Sequence, residues 1–173
     1  MIRKILVSTD PLLRQKSKPV GQIDKKITQL IKDLKDTISV QNDPEGVGLA
    51  APQIGKNLRV FVIKPDKKIT AFINPEIISI SKKTQKPKES KKIMEGCLSL
   101  PHYYGPLKRA SGVKIRFLNE QGKQITQVFT GLEAQIILHE IDHLNGILFV
   151  DRLLEQKRPL YQYINGEWEE VEI

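Results

Sequence analysis

His139-Glu140-Ile141-Asp142-His143, at the centre of the run 138–152, is the stretch on which the reading of this chain turns. Two histidines four residues apart project from one face of a helix, and a glutamate beside the first reaches the same space. Neutral imidazoles at that spacing bind one divalent ion and leave positions for a third protein ligand and a water. Such an ion lowers the pKa of the water towards neutrality, and a carboxylate at Glu140 can take its proton and later return it to a leaving group. The bland alternative is a solvent-facing helix that happens to carry two of the chain's three histidines. With so few histidines, chance seldom produces the five-residue pattern.

Residues 132–145 have the length of a helix, and Gly146 is placed to end it in the left-handed conformation. Ile136, Ile137 and Leu144 make this helix apolar enough to be buried, so its metal and carboxylate would act in a low effective dielectric. Upstream, Asp24 is placed to cap a helix running to about Val40, with Ile27, Leu30, Ile31, Leu34 and Ile38 as its apolar stripe. Between the two helices lie short β-like runs at 58–63, 71–73, 77–80, 113–118 and 125–129. Turn signals separate them at Pro65-Asp66, Asn74-Pro75 and Asn119-Glu120-Gln121-Gly122. The pattern predicts an α+β fold: antiparallel sheets packed around the buried C-terminal metal-binding helix, with the N-terminal amphipathic helix covering a sheet.

At 173 residues, 39% of them hydrophobic, one domain is the expectation. The opening residues carry too short an apolar run for a signal peptide, and there is no run of eighteen apolar residues, so the reading is cytoplasmic with no membrane partner. The single cysteine, Cys97, excludes an intramolecular disulfide. Of the net charge of +8, residues 155–173 hold five glutamates against Lys157 and Arg158, which leaves the tail at −3 and the remainder at +11. Lys82, Lys83, Lys86, Lys88, Lys91 and Lys92 form a basic ribbon able to meet RNA or another acidic surface. No aromatic residue is interleaved to stack on bases, which favours a solvated edge and no specific nucleic-acid site.

Gly46 and Gly48, flanking Val47 and followed by Ala50-Ala51, read as a loop where backbone approaches something closely. This is no phosphate loop, because the third glycine and the Lys-Ser or Lys-Thr pair are missing. Gln53 is a lone amide among apolar neighbours, suited either to capping a turn or to stabilising an oxyanion. The third metal ligand has several sources. Thermolysin-like peptidases take it from a glutamate well downstream and metzincins from a histidine six residues on. Position 149 is phenylalanine, which excludes the second scheme, and Glu155 and the tail glutamates lie in a charged segment, which argues against the first. Glu95-Gly96-Cys97-Leu98-Ser99-Leu100-Pro101 places the only thiol in what reads as a tight loop, where it is either a ligand or a small buried hydrophobe.

Three segments together, Gly46–Gln53, Glu95–Ser99 and His139–Gly146, resemble the signatures of peptide deformylase in order and spacing, and Asp10-Pro11-Leu12-Leu13-Arg14 is similar to the family's opening. The resemblance covers about residues 1–152. It implies a hydrolase acting on a linear amide, removing the formyl group from the N-terminal formyl-methionine of nascent polypeptides and releasing formate. Cys97, His139 and His143 would hold one divalent metal, Fe²⁺ in the usual member, with Zn²⁺, Ni²⁺ or Co²⁺ able to substitute. Glu140 would act as base and then acid, and the Gln53 amide and the Leu98 N–H would hold the oxyanion. Val47 and Gly48 would pair with the peptide backbone. Gly96, Leu132 and Ile136 would line its binding site, and Glu95 would form a structural pair with Arg109. A soft thiolate suits iron or zinc on independent grounds, and a neutral amide suits a short-lived oxyanion.

The chain departs from the family pattern at Leu138, where many bacterial members carry glutamine, and at Tyr104 and Gln135, where some members carry arginine and an apolar residue respectively. Asp142 is expected on the helix face turned away from the ligands. The tail departs most. Residues 153–173 form an acidic extension to the domain 1–152, and within it 160–173 reads as a β-hairpin around Asn165-Gly166 in a type I′ turn, where some members have a basic helix that docks on the ribosome. Transient ribosome association is therefore expected, if at all, through the lysine ribbon. Two other readings remain open: a peptidase using a downstream glutamate, and a non-catalytic metal-stabilised protein that binds nascent chains or RNA.

Overall fold

Val60-Phe61-Val62-Ile63 is buried along its whole length, because successive residues serve two different cores. Phe61 and Ile63 join Ile136, Ile137, Ile141 and Leu144 on one face, while Val60 and Val62 join Ile27, Leu30, Ile31, Leu34 and Ile38 on the other. The strand is thus the middle layer of a helix–sheet–helix stack. The computed structural model describes residues 1–85 and 94–173. In chain order its elements are α1 (Lys25–Ser39), β1 (Gly48–Ala50), β2 (Val60–Ile63), β3 (Thr70–Ile80), β4 (Glu95–Cys97), β5 (Leu100–Gly105), β6 (Gly112–Leu118), β7 (Gln124–Thr130), α2 (Gly131–Leu144), α3 (Phe149–Glu155), β8 (Leu160–Ile164) and β9 (Glu167–Val171).

Two antiparallel sheets result, with strand orders β1-β2-β3-β6-β7 and β4-β5-β8-β9. The helix α2 packs across the first sheet, and α1 covers the opposite face. Asp24 caps α1 by accepting from the N–H groups of Lys26 and Ile27 at 3.0 and 3.1 Å. The expected α+β class, buried metal helix and covering helix are all present. A third cluster, Leu107, Phe149, Leu153 and Leu160, ties α3 to the second sheet. Residue 152, where the sequence reading divides domain from tail, lies inside α3.

Several local expectations need correction. The runs 71–73 and 77–80 are a single strand, β3, with register shifts after Ile73 and Ile77. Asn74 adopts φ 50° there, and its side chain accepts from Val20 N at 2.7 Å and donates to Val20 O at 2.8 Å. The Asn-Pro signal is therefore absorbed as a bulge, the place a sheet tolerates proline. Residues 48–50, 95–97 and 100–101, read as loops, fall in β1, β4 and β5. Their hydrogen bonds come from distant strands, which local turn residues do not reveal. The helix α3 is too short to show a periodic stripe. Asn165 and Gly166 both have positive φ, 51° and 79°, as a type I′ turn requires. Of the lysine ribbon, Lys86, Lys88, Lys91 and Lys92 lie outside the described residues.

The N-terminal segment runs as a strap across three elements. Leu6 N donates to Gln53 O, Ser8 N to Ser99 O and Ser17 N to Leu144 O, each at 2.8 Å. Where it passes the end of α2, Gly146 has φ 73° and a Cβ there would lie 2.5 Å from Arg14 O. Gly166 has a similar φ of 79° with nothing within 4 Å of its Cβ position. Gly166→Ala is expected to cost only the left-handed backbone penalty of about 1 kcal/mol, whereas Gly146→Ala adds a collision with backbone and costs at least about 2 kcal/mol. Urea unfolding of the two variants measures the difference.

Candidate active site

The site assembles where the edge strands of the two sheets, β1 and β4, meet α2. Cys97 ends β4, and His139 and His143 lie one turn apart on α2 with ring centroids 4.9 Å apart. Cys97 Sγ is 3.2 Å from His143 Nε2, and one ligand atom from each of Cys97, His139 and His143 falls within 4.8 Å of the others. Both histidines are buried. A thiolate and two imidazoles converging this closely fit a divalent ion of the iron or zinc type. Glu140 Oε2 is also buried, with no protein partner among the described residues, as suits a group that awaits a bound molecule. Glu155 does not contribute. Its carboxylate accepts from Arg152 at 3.0 Å on the surface.

Behind the ligands lies a buried charge network. His139 Nδ1 donates to Glu95 Oε2 at 2.7 Å, which leaves Nε2 for an ion. The Arg109 guanidinium donates from Nε and Nη2 to the two oxygens of Glu95 at 2.9 and 2.7 Å, and from Nη1 to Asp142 at 2.8 Å. Arg152 closes the chain by donating to both oxygens of Asp142 at 3.0 and 2.8 Å. Asp142 is turned away from the metal ligands yet forms a junction of this network, linked to His139 through Arg109 and Glu95. Burial pushes the Glu95 carboxyl up, but His139, Arg109 and their hydrogen bonds outweigh it and hold the group well below the usual carboxylate range. Burial likewise disfavours charge on His139, and Glu95 beside it more than compensates and raises its pKa. For His143, burial and the neighbouring positive charges lower it, keeping the ring neutral. Glu140 is pushed up to about 7, mainly by burial.

Glu140, Gly48 and Gln53 sit around the same point. Gly48 of β1 passes so close to α2 that a Cβ would strike Glu140 Oε1 and come within 2.9 Å of Ile136 Cγ2, so glycine is required there for backbone to approach Glu140. Gln53 is buried with its carbonyl fixed by Ala50 N at 2.9 Å, which aims its amide nitrogen at Ser99 Oγ, 3.1 Å away, and Cys97 Sγ, 3.6 Å away. Ser99 gave no separate signal in the sequence, although it lies inside the Glu95–Ser99 segment.

In front of these groups opens a cleft of about 470 Å³, lined by Val47, Gly48, Gly96, Leu98, Leu132, Gln135, Ile136, His139 and Glu140, among others. Gln135 is buried and donates to Glu95 at 3.4 Å, so its polar end belongs to the charge network. Leu138 is buried in the core. Tyr104, His102 and Asp43 border the mouth, as does Tyr163 of β8, which carried no motif in the sequence.

A cysteine–histidine–histidine centre with an adjacent buried glutamate, on an α+β scaffold with a peptide-sized cleft, defines a metal-dependent hydrolase. Residues 2–159 match the model of the polypeptide deformylase family. A peptide deformylase of Pseudothermotoga lettingae is 42% identical over 158 residues, spanning 91% of this chain and 86% of its own. The crystal structure of a peptide deformylase from Legionella pneumophila superposes with a TM-score of 0.77 at 43% identity, covering 88% of this chain and 86% of that one. A Met-Ala-Ser-bound class I type b peptide deformylase from Acinetobacter baumannii gives 0.78 at 32% identity, covering 88% and 98%. The chain belongs to the polypeptide deformylase family. Hydrolysis of the formyl group from the N-terminus of nascent polypeptides is its reaction.

The charge network yields a stability prediction. Arg109→Met leaves Glu95 and part of Asp142 buried without their cation, and is expected to cost about 3–5 kcal/mol. Guanidinium unfolding at fixed metal occupancy checks it.

Proposed function

We propose that Cys97, His139 and His143 hold one divalent ion, Fe²⁺ in the cell with Zn²⁺, Ni²⁺ or Co²⁺ able to replace it, and that Glu140 is the proton carrier of deformylation. The observation that supports this most directly is the buried, unpartnered Glu140 carboxylate one residue from His139 and facing the cleft. When bound, the ion supplies Lewis acidity to the formyl oxygen and the attacking water.

Glu140 takes the proton of the water that attacks the formyl carbon and delivers it to the departing amine of the methionine. Burial, which pushes this carboxyl up, suits it better than an ordinary carboxylate to both halves of that task. The Gln53 amide and the Leu98 N–H donate to the oxyanion that develops on the formyl oxygen. Gln53 suits this because its carbonyl is already tied to Ala50 and needs no reorganisation. Gly48, in the edge strand β1, and Val47 just before it pair with the backbone of an extended peptide as an added strand would. Gly96, Leu132 and Ile136 line the space for the methionine side chain, and Gln135 narrows it with a neutral polar wall. Glu95 and Arg109 fix His139 and shape β4 around Cys97.

The enzyme works in the cytoplasm on N-formylmethionyl nascent chains and meets the ribosome transiently through its basic surface. No helix among the described residues is long and apolar enough to cross a membrane. Replacing the six ribbon lysines should weaken co-sedimentation with ribosomes, and unchanged binding would remove that idea.

The decisive experiment is formate release from formyl-Met-Ala-Ser by anaerobically prepared protein loaded with Fe²⁺, Ni²⁺ or Zn²⁺. Glu140→Gln is expected to keep one ion per chain while kcat falls by about 10²–10⁴-fold. Cys97→Ala is expected to lose the ion, measured by elemental analysis. Full activity of Glu140→Gln would sink the assignment of the base, and retained metal in Cys97→Ala that of the third ligand.

A further inference from the structure

The strap of residues 3–17 is fastened to a helix at each end and to the surroundings of the Gln53 amide in its middle. At its start Arg3 N donates to Thr37 Oγ1 at 2.8 Å and Arg3 Nε to Asp33 Oδ2 at 2.9 Å, and both acceptors belong to buried residues of α1. At its far end Ser17 N holds Leu144 O, the last carbonyl of α2. Between these anchors Leu6 N reaches Gln53 O and Ser8 N reaches Ser99 O. Val7 separates the two donors. It is 58% exposed, and its own N–H makes no hydrogen bond among the described residues.

Both strap bonds bear on the orientation of one primary amide. The last torsion of a glutamine is broad and two-fold, so burial alone does not decide which side presents oxygen and which nitrogen. Ala50 N, which can only donate, fixes the oxygen of Gln53 at 2.9 Å. Ser99 Oγ, itself buried, then takes one N–H of the amide at 3.1 Å. The same nitrogen is 3.6 Å from Cys97 Sγ, so its second N–H is directed to the side where the metal ligands converge. Ser99 stands in the two-residue connection between β4 and β5, outside the strand pairing. Its carbonyl is held by the strap instead. A donor to an oxyanion is worth about 10²–10³ in rate, and a misplacement of about 1 Å forfeits much of that.

We propose that Leu6 and Ser8 are positioning residues for deformylation: the strap keeps the Gln53 amide aimed at the developing oxyanion, directly through the Gln53 carbonyl and indirectly through Ser99. The proposal rests on the reading of Gln53 as an oxyanion donor. A strap that only stabilised the fold would lower the folded fraction and act on the rate without regard to Gln53.

The local geometry offers a clean variant. Asp10 N donates to Val7 O at 2.9 Å, which makes Ser8 the second residue of a turn, and neither Ser8 nor Thr9 has positive φ. Proline is favoured at that position, so Ser8→Pro keeps the turn and deletes one N–H. Ser99→Ala removes the hydroxyl and leaves every backbone bond in place.

The experiment measures formate release from formyl-Met-Ala-Ser by metal-loaded protein. Ser8→Pro and Ser99→Ala are each expected to lower kcat about ten- to thirtyfold, a part of what a whole donor is worth, with KM and metal content unchanged and Val7→Pro close to wild type. In a Gln53→Leu background, where the donor is already gone, neither change should lower kcat further. The same fold-loss in both backgrounds, or a loss that appears in KM or in metal content, overturns the proposal and leaves the strap a purely structural role. So does a loss in Val7→Pro as large as in Ser8→Pro. Wild-type kcat in Ser99→Ala overturns it as well, and that variant decides the matter if Ser8→Pro does not fold. Full kcat in Gln53→Leu overturns the oxyanion reading, and this proposal with it. No formate from the wild type with any metal overturns the deformylase reading instead.

Discussion

The contact on which the site depends is the one between Glu95 and His139. It joins the first strand of the small sheet to the helix buried against the large one, and it does so with a charged group in a place that excludes water. A lone carboxylate could not remain ionised there, because desolvation would cost far more than one hydrogen bond returns. Arg109 resolves this by matching both Glu95 oxygens with its planar fork and turning its remaining nitrogen to Asp142, which Arg152 then satisfies from the surface side. Charge is passed outward in steps until solvent can share it. The net effect is positional. His139 is held in one tautomer and one orientation, and Cys97, two residues from Glu95, is delivered to the same point.

The two sheets have different duties in this arrangement. The five-stranded sheet is a wall whose strand β2 feeds two cores, so its residues are chosen for bulk and branching. The four-stranded sheet supplies the thiol at one edge and aromatic rings further out, and it rests on the small cluster around Leu153. The cleft between β1 and β4 therefore has the edge strand of the large sheet on one side and side chains of the small sheet on the other.

Much of this was legible in the residues, and the boundary of legibility is physical. The helices α1 and α2 announce themselves because their stripes are long and their caps, Asp24 and Gly146, act within a few residues. The metal ligands were readable because His139 and His143 sit at helical spacing, while Cys97 needed the company of Glu95, Gly96 and Ser99 to be distinguished from a buried hydrophobe. What stayed hidden depends on partners far away in the chain. β1 and β4 are too short to show alternation, the six residues of β5 do not alternate, and all three exist because neighbouring strands bond to them. Asn74-Pro75 reads as a turn until Val20 is seen to occupy the asparagine side chain. Asp142 could be read only as a candidate support behind the ligands, because its role runs through Arg109 and Arg152, and Tyr163 was invisible because a hairpin signal says nothing about what the hairpin stands beside.

The N-terminal strap carries a consequence for when the enzyme becomes active. Leu6 and Ser8 bond to Gln53 and Ser99, and Ser17 to Leu144, so one short segment binds groups far along the chain. Contacts of such long sequence separation form late in folding, because loop closure costs entropy before any of them contributes. The Gln53 amide, the thiol and the histidines therefore come into register only after α2 has formed and the strap has closed over its end. The centre is complete only when segments far apart in the chain have all docked.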